Sequence, residues 1–259
     1  MTDSALSMIH ALSLPQLAPE GPWQLDLAHD RPDHLLIWIT RGQGRLLLDG
    51  AQHGFGPSTA MFIPARSLFA LDAGRQALGH VLRISPQANQ IWPESAQVLR
   101  SLSAQTLAEL SNLHDTIVRE QDHQPPFWAQ AVQAQSVLAA IWLRRLMPQT
   151  TRVPAARRLI RTYGQTISQQ YASGASMTDY AAMLDVTPSH LTRVCRSQTG
   201  RTAAALLNER IAHEARSQLI QTSASAKAIS HNLGFASASS FNRFVQNQFG
   251  MTPGTLRKR

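Results

Sequence analysis

The chain has 259 residues, 43% of them hydrophobic, which is enough for a buried core in one large domain or two ordinary ones. It contains no run near the ~20 apolar residues of a membrane-spanning helix, and residues 1–14 lack the features of a secretory signal. Its single cysteine, Cys195, excludes an intramolecular disulfide, so we expect a cytoplasmic protein with no membrane partner.

The formal net charge is +8, and the whole excess lies in the C-terminal part. Residues 152–259 contain 14 of the 24 basic side chains and only 4 of the 16 acidic ones. Clustered cationic charge attracts polyanions, and neutralised phosphates supply much of nucleic-acid affinity. The distribution favours nucleic-acid binding, with a solvated basic surface as the alternative if charge stood alone.

The first ninety residues have the pattern of a β domain. Short apolar runs rich in strand formers alternate with turn signals such as Asp49-Gly50. Many short strands at this spacing predict a β-sandwich or small barrel. The apolar runs occupy residues 34–40, 45–48, 60–63 and 78–84.

Two helices are predicted next, over residues 104–121 and about 128–146. In the second helix an apolar stripe recurs at helical spacing. These helices cover one face of the β domain or form a dimer seam, and the sequence leaves both open. Residues 149–152 are predicted to be an interdomain linker. The stripe consists of Val137, Leu138, Ile141, Trp142 and Leu146.

The C-terminal part contains an internal repeat. Ala181, Leu184 and Val186 recur 49 residues later as Ser230, Leu233 and Phe235. After one inserted residue the offset is 50, and it relates Thr187, Ser189, Arg193, Gly200 and Thr202 to Ser237, Ser239, Arg243, Gly250 and Thr252. Each copy predicts a short helix, a tight turn and a second helix that begins at a hydroxyl cap. That is the pattern of a helix-turn-helix unit, present twice.

A connecting helix is predicted from Thr202 to about Thr222. Its ~20 residues span roughly 30 Å, at ~1.5 Å per residue. One turn of B-DNA is ~34 Å, so both second helices of the repeat could enter successive major-groove segments on one face of the duplex.

These motifs resemble the AraC/XylS family of bacterial transcription regulators. Residues 191–200, LTRVCRSQTG, are similar to the family's first-unit motif, and so is Arg210-Ile211 with Ala215 in the connecting helix. Residues 229–253 are similar to its second-unit signature, with the Leu-Gly-Phe, Ser-x-Phe-x-Arg and Phe-Gly-x-Thr-Pro elements in order. Cys195, Phe244-Val245 and Gln246-Asn247 depart from the family's usual residues.

The resemblance covers about residues 155–259, and the N-terminal half is loosely similar to the cupin-like sensor domain of arabinose-type regulators. We therefore expect an α+β protein with an N-terminal cupin-like β-barrel, two following helices and an all-α C-terminal domain. The expected divisions are a sensor at 1–90, a helical dimerisation or linker region at 91–150, and a DNA-binding domain at 155–259. Its helix-turn-helix units are expected at about 178–198 and 226–248.

Helical spacing separates the DNA-facing side chains of the repeat from its inward ones. Leu191, Val194 and Cys195 are expected inside the first unit, where a buried thiol is inert, and Phe241, Phe244 and Val245 inside the second. Ala238 is also expected to face outward. The predicted DNA-binding residues are Ser189, Thr192, Arg193, Arg196 (on phosphate), Ser239, Asn242 and Arg243.

The N-terminal half offers weaker candidates. A ligand pocket inside the barrel would be lined by Trp38, Arg45, Phe62, Phe69 and Arg83. The histidines of this half are scattered, so we expect ordinary histidines, no metal site and no cofactor. No catalytic triad, phosphate-binding loop or paired-acid motif is present in the sequence, so we expect no enzymatic activity. The histidines considered are His29, His34, His53 and His80.

Three hypotheses follow. The first is a regulator of double-stranded DNA, a homodimer in which a small-molecule effector at the sensor changes how the C-terminal domain meets DNA or RNA polymerase. The second is a ligand-independent DNA-binding protein whose β domain serves dimerisation only. The third is a cupin metalloenzyme tethered to DNA. The first fits the sequence best, with activation or repression as its output.

Overall fold

We describe a computed structural model of the chain, covering residues 8–74, 76–88, 91–148 and 153–258. The linker expected at 149–152 lies outside these described residues, and so do residues 1–7 of the segment tested for a secretory signal. No described helix combines the length and apolar character needed to cross a bilayer.

Eight strands are found in the described residues, arranged in two antiparallel sheets. They are β1 (Ile9–Ser13), β2 (His34–Arg41), β3 (Gly44–Leu48), β4 (Ala51–Phe55), β5 (Thr59–Ile63), β6 (Phe69–Ala73), β7 (Leu78–Ile84) and β8 (Gln97–Leu99). The larger sheet has the order β1-β7-β2-β5-β8, and the smaller one has the order β4-β3-β6. A short helix, α1 (Trp23–Asp26), precedes β2.

Strand β2 lies at the centre of the larger sheet, where Ile37 pairs with Met61 on one side and Val81 on the other. Its odd-numbered residues from 35 to 39 face the smaller sheet and pack with Leu46 and Phe69. Its even-numbered residues, Leu36 and Trp38, are buried on the opposite face. Burial on both faces explains the unbroken apolar run of this strand, which a one-sided strand would not have.

The α+β class with a β-rich N-terminal half is as predicted. Among the described residues the strands form two facing sheets, and the space between them is filled by apolar side chains. The layout is therefore an open, packed version of the expected barrel.

Two long helices, α2 (Ala104–His123) and α3 (Trp128–Leu146), cover the outer face of the larger sheet. The side of α3 that meets the protein carries small residues such as Ala139 and Ala140, which allow close approach. The predicted apolar stripe is a neighbouring face, on which Leu138 is 46% exposed. The helix therefore has a core face, and beside it a second apolar face that the described chain leaves partly open.

The C-terminal part is entirely helical in its described residues. Its helices are α4 (Ala155–Gln170), α5 (Met177–Met183), α6 (Pro188–Thr199), α7 (Ala203–Gln221), α8 (Ala226–Asn232), α9 (Ala238–Phe249) and α10 (Pro253–Leu256). Hydroxyl caps start α6 and α9 as predicted: the side chain of Thr187 accepts from the His190 amide and that of Ser237 from the Ser240 amide.

Two hydrophobic clusters organise these helices. The first joins α4, α5, α6 and the start of α7, and it includes Leu47 and Ala70 from the outer face of the smaller sheet. The second joins the end of α7 to α8, α9 and α10 around Phe241 and Leu256. Because the first cluster contains residues of both halves of the chain, the β part and the helical part are packed directly together.

Candidate nucleic-acid interface and its contact with the N-terminal half

The two copies of the repeat have the same turn geometry. In the first, Asp185 has φ +53° and the Val186 amide donates to the Ala181 carbonyl at 3.0 Å. In the second, Gly234 has φ +73° and the Phe235 amide donates to the Ser230 carbonyl at 3.0 Å. Each turn thus redirects the chain from the first helix of a unit to the second.

Small side chains let the helices of each unit pack closely. Ala181 and Ser230 are both buried at the crossing of the two helices. The Ser230 hydroxyl also donates to the Ser237 carbonyl at 3.2 Å, which fixes the start of α9 against α8.

The inward faces of α6 and α9 match the spacing argument. Leu191, Val194 and Cys195 are buried, and burial raises the pKa of the Cys195 thiol to about 12, so this group is protonated at neutral pH. In the second unit Phe241 and Val245 are buried. There Phe244 is half-buried, with its ring 5.2 Å from that of Phe235.

The predicted DNA-binding residues lie on the opposite faces of the same two helices. Thr192 is half-buried and the others are exposed. No carboxylate among the described residues forms an ion pair with Arg193, Arg196 or Arg243. The exposed members are Ser189, Arg193, Arg196, Ser239, Asn242 and Arg243.

Sequence reasoning missed His190 on this surface. It is exposed one helical turn before Arg193, and its Nδ1 accepts a hydrogen bond from the Arg193 guanidinium at 3.0 Å. This bond orients the guanidinium toward the start of α6. The i to i+3 spacing of the two residues was the available signal.

The two units are held together by more than α7. The Arg210 guanidinium of α7 lies 3.8 Å from the centre of the Tyr171 ring, which follows α4. At Gly234 a Cβ atom would stand 2.6 Å from the Ala172 carbonyl oxygen and 2.6 Å from the Gly174 nitrogen. The turn of the second unit therefore packs backbone to backbone on the loop that precedes the first.

A segment of the N-terminal half docks on α7 through a buried ion pair. The Asp30 carboxylate accepts from Arg210 Nε at 2.7 Å, and both side chains are almost fully buried. The Glu214 carboxylate accepts a hydrogen bond from Arg210 Nη1 at 3.0 Å. A buried arginine needs such partners, because an unpaired charge in the interior is costly.

Two histidines stack beside this ion pair. The rings of His29 and His213 lie 4.2 Å apart and are nearly parallel. Burial, followed by the Arg210 charge, lowers the pKa of His213 to about 4. Burial, followed by His213 and Arg31, places the pKa of His29 well below its ordinary value. Both rings are therefore neutral at neutral pH.

A second docking point joins α4 to the β3–β4 turn. Arg157 Nε donates to the Asp49 backbone carbonyl at 3.1 Å, and Arg161 Nη2 donates to the Asp49 carboxylate at 2.7 Å. A Cβ at Gly50 would stand 2.9 Å from Ile160 Cβ, so the turn lies directly on the helix.

A cavity of about 260 Å³ lies between these two parts of the chain. The β half contributes Leu47 and Leu68, and the helical half contributes Ile160, Arg161 and Leu206. The lining combines apolar side chains with a few polar ones, which is the usual character of a small-molecule site.

The five sequence candidates for an effector pocket are not brought together. Trp38 and Phe62 face α2 and α3, and Phe69 is in the core between the sheets. Arg45 is exposed and paired with Asp72 at 3.0 Å, and Arg83 lies 3.5 Å from Asp33. Strand alternation could not separate these surroundings, because β2 and β5 are buried on both faces.

The four histidines of the sequence analysis are also dispersed. His29 meets α7, His34 Nδ1 accepts from the Ala65 amide at 3.0 Å, and His53 lies on the smaller sheet. His80 is the exception, because its ring lies 4.4 Å from that of His114, a residue that the sequence analysis did not select.

Comparison with known protein families gives a match in the C-terminal part of the chain. Residues 180–259 match the helix-turn-helix domain family. The match begins at Tyr180 and includes both copies of the repeat. A helix-turn-helix domain is the fold that the resemblance in sequence implied for this part of the chain. No protein with a curated description matches the chain.

Several solved structures are similar to this chain at low sequence identity. ToxT from Vibrio cholerae, bound to an unsaturated fatty acid, has 14% identity and a TM-score of 0.45, over 96% of this chain and 94% of ToxT. The C-terminal domain of AraT from Geobacillus stearothermophilus has 20% identity and a TM-score of 0.38, over 42% and 88%. The C-terminal domain of YesN from Fusobacterium nucleatum has 18% identity and a TM-score of 0.36, over 37% and 94%.

Proposed function

We propose that this chain is a sequence-specific transcription regulator that binds double-stranded DNA with α6 and α9 in successive major-groove segments. The observation that supports this most is the pairing of two identical turn geometries with a 19-residue connecting helix, about 28 Å long. That length is close to the ~34 Å repeat of B-DNA.

Within this proposal Arg193 and Arg243 contact guanine edges, because a guanidinium matches the O6 and N7 acceptors of guanine with two bonds. Asn242 has the donor and acceptor pair that adenine requires. Arg196 is farther along α6 and contacts phosphate. The hydroxyl residues Ser189, Thr192 and Ser239 complete the two faces.

An effector is proposed to occupy the cavity between the β half and α4, in place of the barrel interior. The interior between the sheets is filled by side chains, whereas the cavity at Leu68, Ile160 and Arg161 offers space for a small molecule. An occupant touching both halves binds differently when their arrangement changes, and linkage then transmits its binding to the DNA interface.

A homodimer is proposed to form through the open face of α3. Val137, Ile141 and Trp142 are half-buried there and Leu138 is exposed, which leaves an apolar stripe without a complete cover in the described chain. This stripe also supports the second candidate, a ligand-independent regulator whose β half serves dimerisation alone. Activation would add a contact with RNA polymerase, and repression needs only occupation of the promoter.

The proposal assigns the chain no catalytic activity and places it in the cytoplasm of a bacterial cell, where the chromosome is. Bacterial origin follows from the family resemblance. A ligand that changes DNA affinity separates the first candidate from the second.

The test is a selection of genomic fragments by the purified protein at fixed salt, with a double variant, Arg193→Ala with Arg243→Ala. The matched control is Arg41→Ala with Arg119→Ala, which removes the same charge from exposed positions of β2 and α2. A recurrent two-block site, bound by wild type and control but lost in the first double variant, is expected. Equal, sequence-independent binding by all three proteins would overturn the proposal.

A further inference from the structure

Two histidines and one carboxylate meet on the outer face of the larger sheet. His80 lies on β7, and His114 and Asp115 are successive residues of α2. One ligand atom of each residue lies within 4.8 Å of the corresponding atoms of the other two. No part of the DNA-binding proposal uses these three groups.

The tautomer of His114 is set by its surroundings. Its Nε2 lies 3.1 Å from the Leu12 carbonyl, which can only accept, so Nε2 carries the proton. The side chain is 7% exposed, and its Nδ1 is buried without a hydrogen-bond partner among the described residues. Nδ1 stands 3.6 Å from Asp115 Oδ1, too far for a hydrogen bond. His114 Nδ1 thus points toward the Asp115 carboxylate without a hydrogen bond to any described residue.

The position of His114 is fixed by hydrogen bonds that α2 makes on either side of it. Gln121, two turns farther along α2, donates to the Ile9 carbonyl at 2.5 Å and accepts from the Ala11 amide at 3.2 Å. One turn earlier, Ser111 accepts from Trp38 Nε1 at 3.4 Å. The helix is therefore anchored on β1 and β2 around the site, and the His114 imidazole is held in place before any ligand arrives.

We propose that His80, His114 and Asp115 bind one divalent transition-metal ion of the zinc class. Two imidazole nitrogens and one carboxylate oxygen are a donor set that such ions prefer. The Leu12 carbonyl holds the second nitrogen of His114, which is the usual way a protein orients a metal-bound imidazole.

Binding one ion at this site requires little rearrangement of the chain. Donor atoms ~2.1 Å from one ion stand roughly 3.4 Å apart in a tetrahedral site. The Asp115 side chain is 64% exposed and His80 is half-buried, so rotation of these two side chains can close the spacing while the buried His114 stays in place. Three protein donors leave a further position for water, and the ion joins α2 to the larger sheet.

The experiment is a titration of the full chain with Co²⁺ after treatment with EDTA and dialysis, followed by visible absorption and calorimetry. His80→Gln and Asp115→Asn remove donors that are not fully buried, whereas His123→Gln removes an exposed histidine at the end of the same helix. We expect one Co²⁺ per chain in wild type and in His123→Gln. Asp115→Asn should weaken binding at least about tenfold, and His80→Gln should abolish saturable binding.

Thermal midpoints in EDTA verify that each variant is folded. Trp38 provides a measurement on the unaltered chain, because its ring lies 5.3 Å from that of His80 and Co²⁺ bound there would quench its emission. The proposal is overturned if wild type has no one-to-one site, if His80→Gln binds like His123→Gln, or if saturating Co²⁺ leaves the tryptophan emission unchanged.

Discussion

Asp30 and Arg210 are 180 residues apart in the chain and form a buried ion pair, with 2.7 Å between Oδ1 and Nε. Arg210 is on the helix that connects the two helix-turn-helix units, and Asp30 follows α1 in the β half. The same guanidinium lies over the Tyr171 ring. One side chain thus links the β half, the connecting helix and the end of α4.

Replacing Asp30 with Asn should destabilise the chain strongly. It leaves the buried Arg210 charge with Glu214 as its main carboxylate partner, and such a loss costs about 3 kcal/mol of unfolding free energy. Urea unfolding measures the change. Asp72→Asn is the control, because its pair with Arg45 is exposed and removing it should cost below ~1 kcal/mol. Equal costs for the two variants would show that the Asp30 pair has no special role.

Stability should fall at acidic pH through His29 and His213. The pKa of His213 is about 4 in the folded chain, below its ordinary value of 6.5, so the unfolded chain takes up the proton first. The contribution is fully present above pH 6.5 and is lost as pH falls to about 4. It is on the order of 3 kcal/mol for this one group.

Unfolding free energies between pH 7 and pH 4 measure this loss. The variant His213→Gln should be less stable at pH 7 and should have a shallower pH dependence than wild type. A wild-type slope that the variant reproduces in full would contradict a neutral, buried His213.

Gly234→Ala should displace the second helix-turn-helix unit. The residue has φ +73°, and an added Cβ would collide with the backbone of Ala172 and Gly174. Gly250→Ala is the control, because Gly250 has φ +67° but no atom within 4 Å of the added Cβ. The control should cost about 1 kcal/mol for its backbone conformation alone, and Gly234→Ala clearly more. Urea unfolding and DNA binding measure both, and identical behaviour would refute the close contact.

Leu138→Asp should convert a dimer into monomers without unfolding the chain. The change places a charge on the open face of α3, where burial at an interface would be costly. Leu78→Asp is the control, because Leu78 is equally exposed, at 46%, but lies on β7. Sedimentation velocity measures the result. If Leu78→Asp dissociates as readily, or if the wild type is monomeric at high concentration, α3 is not the dimer interface.

Local signals in the sequence predicted much of the helical half. The caps at Thr187 and Ser237, the small residues at the helix crossings and the spacing of the inward side chains act within a few residues, so periodicity and turn chemistry are sufficient. The DNA-facing assignments stay predictions, although each of these side chains lies on the outer face of α6 or α9.

Contacts between distant segments could not be predicted from such local signals. The pairs Asp30–Arg210 and His29–His213 carry no periodicity, and the contact of Asp49 with α4 leaves no sequence signal beyond the turn at Asp49-Gly50. Strand alternation could not show that the five effector candidates lie in different surroundings, because it does not reveal that a strand is buried on both faces. His114 was missed because helical spacing places it among leucines, while His80 is on a strand 34 residues earlier.

The most direct test of two-groove binding is the spacing between the two blocks of the selected DNA site. Binding is measured at fixed salt for that site and for a version with about half a helical turn, ~5 base pairs, inserted between the blocks. Because the units are fixed to each other at Gly174 and Gly234, the account predicts that affinity for the altered site falls to that of Arg243→Ala on the original one. Unchanged affinity for the altered site would contradict the claim that this chain binds two groove segments as one rigid body.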